Sequence, residues 1–395
     1  MKLKELDFPY ALLKVISKLR KRTLVMNKNS KKKQGQDLQT NKRICCVIPS
    51  LHAGGMERVM SELATYFALT KHAEVYLIIL GKDDKFYNLP VEVKIYEPDL
   101  VFQIKSRLIY AIQIQNFVRK SVKTINPHVV LSFGETYNSF VILALLFTKN
   151  RIFVSDRSRP DKDWGFLQNQ LRRILYPFAE GIIAQTRIAK ELALTHHYNK
   201  NISVIGNPIK EFNNILFTER ENIILTAGRM IKSKRFDFLL SIFSKSDYKH
   251  RNWKLMIVGD GPECDNLIAL SKSLEINQDV IFTGNITDIE RYYFNARIFA
   301  YTSNSEGFPN VLGEAMMSGL APITFRFIAG SEDLICHNEN GYIIEMDDES
   351  SYINHLNLLM NNPILVQRFA KNAQASIREF SLQKIGDEYY KFLFR

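Results

Sequence analysis

The chain has 395 residues, more than one hydrophobic core usually serves, so two domains of ordinary size are expected. Its apolar content of 46% is ample for globular packing and excludes a disordered, collagenous or disulfide-stapled chain. The net charge of +12 is very unevenly placed: residues 1–43 carry thirteen Lys/Arg against three acidic residues, while 44–395 carry 40 against 38, which argues against reading the whole protein as a nucleic-acid binder.

In the basic extension, Phe8, Leu12, Val15, Ile16 and Leu19 share one helical face, with Lys14, Lys18 and Lys21 opposite. Such a helix can lie on an anionic bilayer, pack on the body, or remain a solvated arm. Pro9 limits it to the part that follows, Lys31–Lys33 adds a second cationic cluster, and residues 27–42 read as a linker. No secretory leader is expected, because an uninterrupted apolar region and a small-residue cleavage site are missing. The longest apolar run of the body, Phe140–Phe147, is far short of the ~20 residues a membrane span needs. The expected location is therefore cytoplasmic, with residues 1–33 offering peripheral attachment to the inner membrane face.

From Ile44 onward β-rich runs alternate with helical patterns. Ile44–Ile48, Val75–Leu80, Val91–Tyr96, Val129–Ser132, Arg151–Val154, Gly181–Ala184 and Ser203–Ile205 are expected strands, with helices at Met56–Leu69 and Val101–Ile125. The series restarts after a linker near Gly206–Asn213. Asn222–Thr226, Lys254–Val258, Val280–Phe282, Ile298–Tyr301, Ala321–Thr324 and Gly341–Glu345 are strands, with helices near 235–245, 263–275, 309–319 and 348–376 and a terminal one at Leu382–Phe394. Two β/α series imply two parallel sheets covered on both faces. Cys45, Cys46, Cys264 and Cys336 lack zinc-ligand spacing and read as reduced thiols.

In open parallel sheets ligands bind beyond the carboxyl ends of strands, and the informative residues stand there. Gly54-Gly55-Met56-Glu57-Arg58 follows the first strand; paired glycines allow close backbone approach, and a helix N-terminus favours an anion. Gly228-Arg229 and Lys234 follow the first strand of the second series, where a guanidinium fork and an ammonium can converge on a diphosphate or form a solvated basic loop. Gly259-Asp260-Gly261-Pro262 reads by itself as a tight structural turn. The most informative string is Ser305-Glu306-Gly307-Phe308-Pro309-Asn310-Val311-Leu312-Gly313-Glu314-Ala315. Its helix N-terminus near Asn310, Val311 and Leu312 offers backbone N–H groups to a phosphate, and its two carboxylates suit polyhydroxylated ligands.

The Glu306–Glu314 element resembles the E-x7-E motif of the retaining glycosyltransferases of family 4. Gly54-Gly55-x-Glu57-Arg58, Gly228-Arg229 with Lys234, Gly259-Asp260-Gly261-Pro262 and Phe282-Thr283-Gly284 occur in that family's order, over roughly residues 44–390. The resemblance, to the bacterial polysaccharide and glycan-assembly members, implies the α/β GT-B fold, two Rossmann-like domains with parallel sheets facing across a cleft. The expected parts are the extension 1–43, an acceptor domain 44–208, a nucleotide-sugar domain 209–379, and a C-terminal helix in 380–395 returning to the first domain. It implies that Arg229 and Lys234 bind the donor diphosphate and stabilise the leaving group, with Glu306 on the donor sugar and Glu314 on the ribose. Gly54, Gly55, Gly228, Asn310, Val311 and Leu312 complete the donor-binding set. Where many members carry a histidine after the fifth strand, this chain has Ser155-Asp156-Arg157-Ser158-Arg159-Pro160, similar to a Ser-Glu-Arg-Asn-x-Pro variant. Asp156, Arg157, Glu57 and Arg58 are thus candidates for an acceptor or sugar site, with a structural ion pair as the alternative for Arg157 or Arg159.

The implied reaction is transfer of a hexose or N-acetylhexosamine from a nucleotide-diphosphate sugar, taken as UDP-linked, to a saccharide or lipid-linked saccharide in surface polysaccharide synthesis, such as capsule or lipopolysaccharide. No cofactor and no metal are expected, because the cations take a metal's place, and Asp161–Asp163 reads as a helix start or cap. No specific nucleic-acid partner is expected. The alternatives are a nucleotide-sugar epimerase or hydrolase on the same fold, and a non-enzymatic membrane-recruited scaffold.

Overall fold

The computed structural model describes residues 42–81, 85–99, 107–212, 219–286 and 288–395. The expected amphipathic helix, nearly all of the linker and the first residues expected for Val101–Ile125 lie outside them. The chain forms two compact units: one runs up to Gln185 and includes Ala189–Ile205 and Gly386–Arg395, the other comprises Thr186–Ile188 and Gly206–Ile385.

The first unit is built on seven strands: β1 (Arg43–Ile48), β2 (Glu74–Ile79), β3 (Val93–Tyr96), β4 (Val129–Phe133), β5 (Arg151–Ser155), β6 (Gly181–Ala184) and β7 (Ile202–Val204). All pair in parallel, in the order β3-β2-β1-β4-β5-β6-β7. Strands so placed are buried on both faces, which is why Ile44-Cys45-Cys46-Val47-Ile48 carries no polar alternation. Cys45 and Val47 enter one core with Val118, Ile142 and Tyr176, and Cys46 points the other way. All four cysteines are free; Cys336 is exposed, while burial pushes the Cys46 thiol up to about 12. The C-terminal helix Leu382–Phe394 contributes to this unit from Gly386 onward, with Phe392 against Phe153 and the Tyr66 hydroxyl donating to Asp387 at 2.7 Å.

The second unit has six strands: β8 (Ile223–Ala227), β9 (Lys254–Val258), β10 (Val280–Phe282), β11 (Ile298–Tyr301), β12 (Ala321–Phe325) and β13 (Tyr342–Ile344), again all parallel, in the order β10-β9-β8-β11-β12-β13. One face buries Phe243, Trp253, Tyr352 and Phe369, the other Tyr293, Phe299, Met316 and Ile377. Each such large apolar side chain contributes roughly 1.5–3 kcal/mol on burial.

All thirteen expected strands are present, within two residues at either end. The single helix expected over 348–376 is two, Glu349–Asn361 and Pro363–Ile377. Pro363 has no N–H to continue a helix, and the Asn362 side chain caps the new one by accepting the Leu365 N–H at 3.0 Å. Helices at Glu135–Leu145, Arg187–Thr195 and Glu290–Asn295 add to the expected elements, and Phe166–Leu175 follows the helix start expected at Asp161–Asp163. Among the described residues no helix is long and apolar enough to cross a membrane.

Both strand orders reverse direction once, between β1 and β4 in the first unit and between β8 and β11 in the second. Loops leaving the carboxyl ends of those strand pairs diverge and leave the crevice in which open α/β sheets hold ligands.

Candidate active site

In the second unit the switch point lies between the loop after β8, which carries Arg229 and Lys234, and the loop after β11, which carries Glu306. The two loops are stitched together. The Thr302 hydroxyl lies 3.0 Å from the carbonyls of Lys234 and Arg235, and the Asn304 N–H donates to the Ser233 carbonyl at 3.0 Å. As a result the Lys234 ammonium meets Glu306 Oε1 at 2.6 Å, although 72 residues separate them. Both side chains are largely buried, at 16% and 12% exposure, so the pair is shielded from salt. Glu306 Oε1 also accepts from the Tyr301 hydroxyl and the Ser303 hydroxyl, each at 2.6 Å. Burial, then the charge of Glu306, pushes the Tyr301 phenol well above its ordinary value, so it remains a donor.

Arg229 is exposed and makes no ion pair among the described residues. Its loop is shaped by the Gly259–Pro262 turn. Gly259 has φ +130°, and a Cβ there would stand 2.2 Å from the Gly228 carbonyl oxygen; one at Gly261 would stand 2.5 Å from that of Met230. Backbone bonds from Gly228 N to Val258 O and from Met230 N to Asp260 O, both 2.9 Å, close the contact. The structural reading of this turn therefore holds: its glycines let one loop support the other. Gly228 itself has φ +144° and faces the Lys234 stem.

The helix Asn310–Met317 begins after the buried Phe308, which packs on Phe380. The expectation of free N–H groups over Asn310–Leu312 is corrected here. Asn310 N is bonded to Phe308 O and Leu312 N to Pro309 O, because the first turn is tight; only the Val311 N–H keeps no partner among the described residues. The Asn310 side chain accepts from Asn207 at 2.9 Å. Glu314 receives the Tyr293 hydroxyl at 3.2 Å and remains partly exposed.

In the first unit the Gly54-Gly55 loop opens the helix Gly55–Leu69. Gly54 is held by a residue that the sequence did not single out: the Tyr87 hydroxyl accepts its N–H at 3.2 Å and donates to its carbonyl at 2.9 Å. Glu57 turns back over Gly54 and receives the Ser50 hydroxyl, and Arg58 is paired with Glu62 at 2.8 Å.

Asp156 and Arg157, the candidates for an acceptor or sugar site, are each engaged by side chains of the first unit. Asp156 accepts from Tyr176 at 2.6 Å, from Asn138 at 3.0 Å and from Arg172. The Arg157 guanidinium lies 3.4 Å from the Phe133 ring centroid and donates to the Tyr389 hydroxyl; burial lowers its pKa from the ordinary value. Glu135, unnoticed in the sequence, holds this segment: its Oε1 accepts the N–H groups of Arg157 (2.9 Å) and Ser158 (2.6 Å). Burial, then Asp156, raises the Glu135 carboxyl above its ordinary range. Asp161 pairs with Arg159, and Asp163 accepts from Gly165 N and Asn169, so the Asp-x-Asp pair is spent locally at the start of Phe166–Leu175. Among the described residues no cluster of three or more His, Cys, Asp or Glu could hold a metal ion.

Two family models match successive parts of the chain: Glycosyltransferase Family 4 over residues 53–211 and Glycosyl transferases group 1 over residues 209–376. A Campylobacter jejuni relative, the GalNAc-alpha-(1->4)-GalNAc-alpha-(1->3)-diNAcBac-PP-undecaprenol alpha-1,4-N-acetyl-D-galactosaminyltransferase, is 29% identical over 364 residues, covering 89% of this chain and 98% of its own. Among solved structures, the lipopolysaccharide outer core galactosyltransferase WaaB matches with TM-score 0.74 at 20% identity, over 89% of this chain and 99% of its own. Anabaena Alr3699/HepE in complex with UDP and glucose matches with TM-score 0.71 at 15% identity, over 90% and 100%.

Proposed function

Because the chain belongs to the family 4 glycosyltransferases, with their GT-B fold, and serves bacterial surface-glycan synthesis, we propose that it moves a hexose or N-acetylhexosamine from a UDP-linked donor to a saccharide or lipid-linked saccharide, with retention. The observation that carries this reading is the Lys234–Glu306 pair at the switch point of the second sheet, with Arg229 exposed on the same loop.

Breaking the sugar–phosphate bond places negative charge on the departing diphosphate and oxocarbenium character on the sugar. Fixed cations aimed at the site of developing charge lower the barrier, and removing one such donor typically costs ~10²–10³ in turnover. Arg229, Lys234 and the Val311 N–H are the groups offered to the diphosphate, backed by the positive end of the Asn310–Met317 helix. Glu306 takes the donor sugar and Glu314 the ribose. The leaving diphosphate oxygen takes the proton of the acceptor hydroxyl on the face it has left, which preserves the anomeric configuration without an enzymic nucleophile. The cations meet the charge that a metal would otherwise meet, so activity should survive chelation.

The Campylobacter relative's undecaprenol-linked acceptor and the UDP of the Anabaena structure support a lipid-linked acceptor and a UDP donor here. A bilayer contact through residues 1–33 would bring the enzyme to such an acceptor; deleting them should release it from vesicles containing anionic lipid, and unaltered partition would end that reading.

The test is a thermal-shift panel of nucleotide-sugars, followed by transfer to a lipid-linked saccharide with the product anomer read by NMR. Arg229→Ala should fold normally and lose ~10²–10³ in turnover. An inverted product, or full activity in Arg229→Ala, would refute the mechanism; conversion of the donor without acceptor would favour the epimerase or hydrolase.

A further inference from the structure

Tyr301 ends β11 with its ring buried, stacked on Phe299 at 5.9 Å and edge-on to Phe327 at the same centroid distance. Among the described residues its hydroxyl is the one group that touches both Lys234 Nζ (2.9 Å) and Glu306 Oε1 (2.6 Å). An ammonium only donates, so the phenol oxygen accepts from Lys234 and its single proton goes to Glu306. With Ser303 and Lys234 also on Oε1, three donors crowd one carboxylate oxygen, and all three come from β11, its loop or the adjoining β8 loop.

We propose that Tyr301 is a specificity-determining positioning residue: its hydroxyl locks the Glu306 carboxylate with Oε1 turned into the protein, leaving Oε2 in one orientation to receive hydroxyls of the donor hexose. The inference rests on the nucleotide-sugar reading above and adds how the sugar is discriminated. A carboxylate held at one oxygen presents the other at a fixed angle, so a donor epimer with a hydroxyl on the wrong side leaves a partner unsatisfied. A carboxylate free to turn follows either epimer. Site groups built to hydrogen-bond a substrate hydroxyl discriminate strongly only when they are held in place.

Tyr301→Phe removes the hydroxyl and keeps the packed ring. Binding of the full chain to UDP and to a panel of UDP-hexoses and UDP-N-acetylhexosamines is measured by calorimetry, with thermal unfolding alongside. The expected result is a loss on the order of tenfold for the preferred UDP-sugar, a narrowed gap between epimeric donors, and UDP affinity within about twofold of the parent. In a Glu306→Ala background the same substitution should have no further effect on sugar affinity, since it acts through that carboxylate. Equal losses for UDP and UDP-sugar, unchanged discrimination, or losses that add in the Glu306→Ala background would each overturn the proposal, the last by showing a role in the fold alone. A parent chain that binds UDP-sugars with no preference among epimers would overturn it while leaving the donor reading intact; one that binds no nucleotide-sugar would overturn both.

Discussion

Lys234→Met separates what the ammonium does for the fold from what it does for the reaction. The substitution preserves the stem and removes the charge, leaving a carboxylate of 12% exposure with two neutral hydroxyl donors. Breaking a fully buried pair costs about 3–5 kcal/mol. Here the residual exposure and the surviving bonds from Tyr301 and Ser303 lower the expected cost to about 2 kcal/mol. Replacing Glu306 by Gln in the same background removes the stranded charge and should return about half of that loss. Turnover behaves differently: it should fall ~10²–10³ in Lys234→Met and remain low in the double variant. Urea unfolding and initial rates of sugar transfer measure the two quantities on one preparation. A Lys234→Met variant with the parent's urea midpoint, or a double variant with no recovery of stability, would refute the buried-pair argument. A parent-like rate would refute the role on the diphosphate.

Gly259→Ala should destabilise by about 1–3 kcal/mol and weaken donor binding, because φ +130° and a Cβ 2.2 Å from the Gly228 oxygen force the Arg229 loop to move; calorimetric unfolding and UDP titration check it. Tyr87→Phe should cost about 1 kcal/mol in urea unfolding by releasing both backbone groups of Gly54; a parent-like urea midpoint would exclude that brace. His337 has its pKa lowered from 6.5 by burial and then by His355, while its Nδ1 accepts the Ile343 N–H. The unfolded chain then binds that proton more tightly, so stability is full above pH 6.5 and is lost as pH falls toward the lower folded pKa. Thermal unfolding of His337→Gln should lack that acid-side decline; an identical decline would exclude His337 as its source.

The strands were legible because doubly covered parallel strands are short apolar runs such as Lys254–Val258, bounded by glycine loops. The helix Glu135–Leu145 was not: its second half, Phe140–Leu145, reads as one more apolar run without amphipathic spacing. The residues of the second unit's site were legible as a string, since Glu306 and Glu314 flank a Gly-Phe-Pro turn. Their partners were not. That Lys234 meets Glu306 follows from β8 lying beside β11, a fact of strand order, and Tyr301 looks in the sequence like one more core aromatic. Glu135 and Tyr87 act through backbone groups of distant residues, which leaves no mark in local spacing. A signal for Glu135 existed in its place just after β4, at the first unit's switch point.

The two adjacent thiols on β1 offer a practical handle. Cys45 and Cys46 point to opposite faces of the middle of a seven-stranded sheet, while Cys336 is open to solvent. A thiol reagent should therefore label Cys336 at once, reach the half-buried Cys264 of the second unit next, and reach the β1 pair only when the heart of the first unit opens. The labelling time course then reports that unit's opening rate separately from the other's, without an introduced probe.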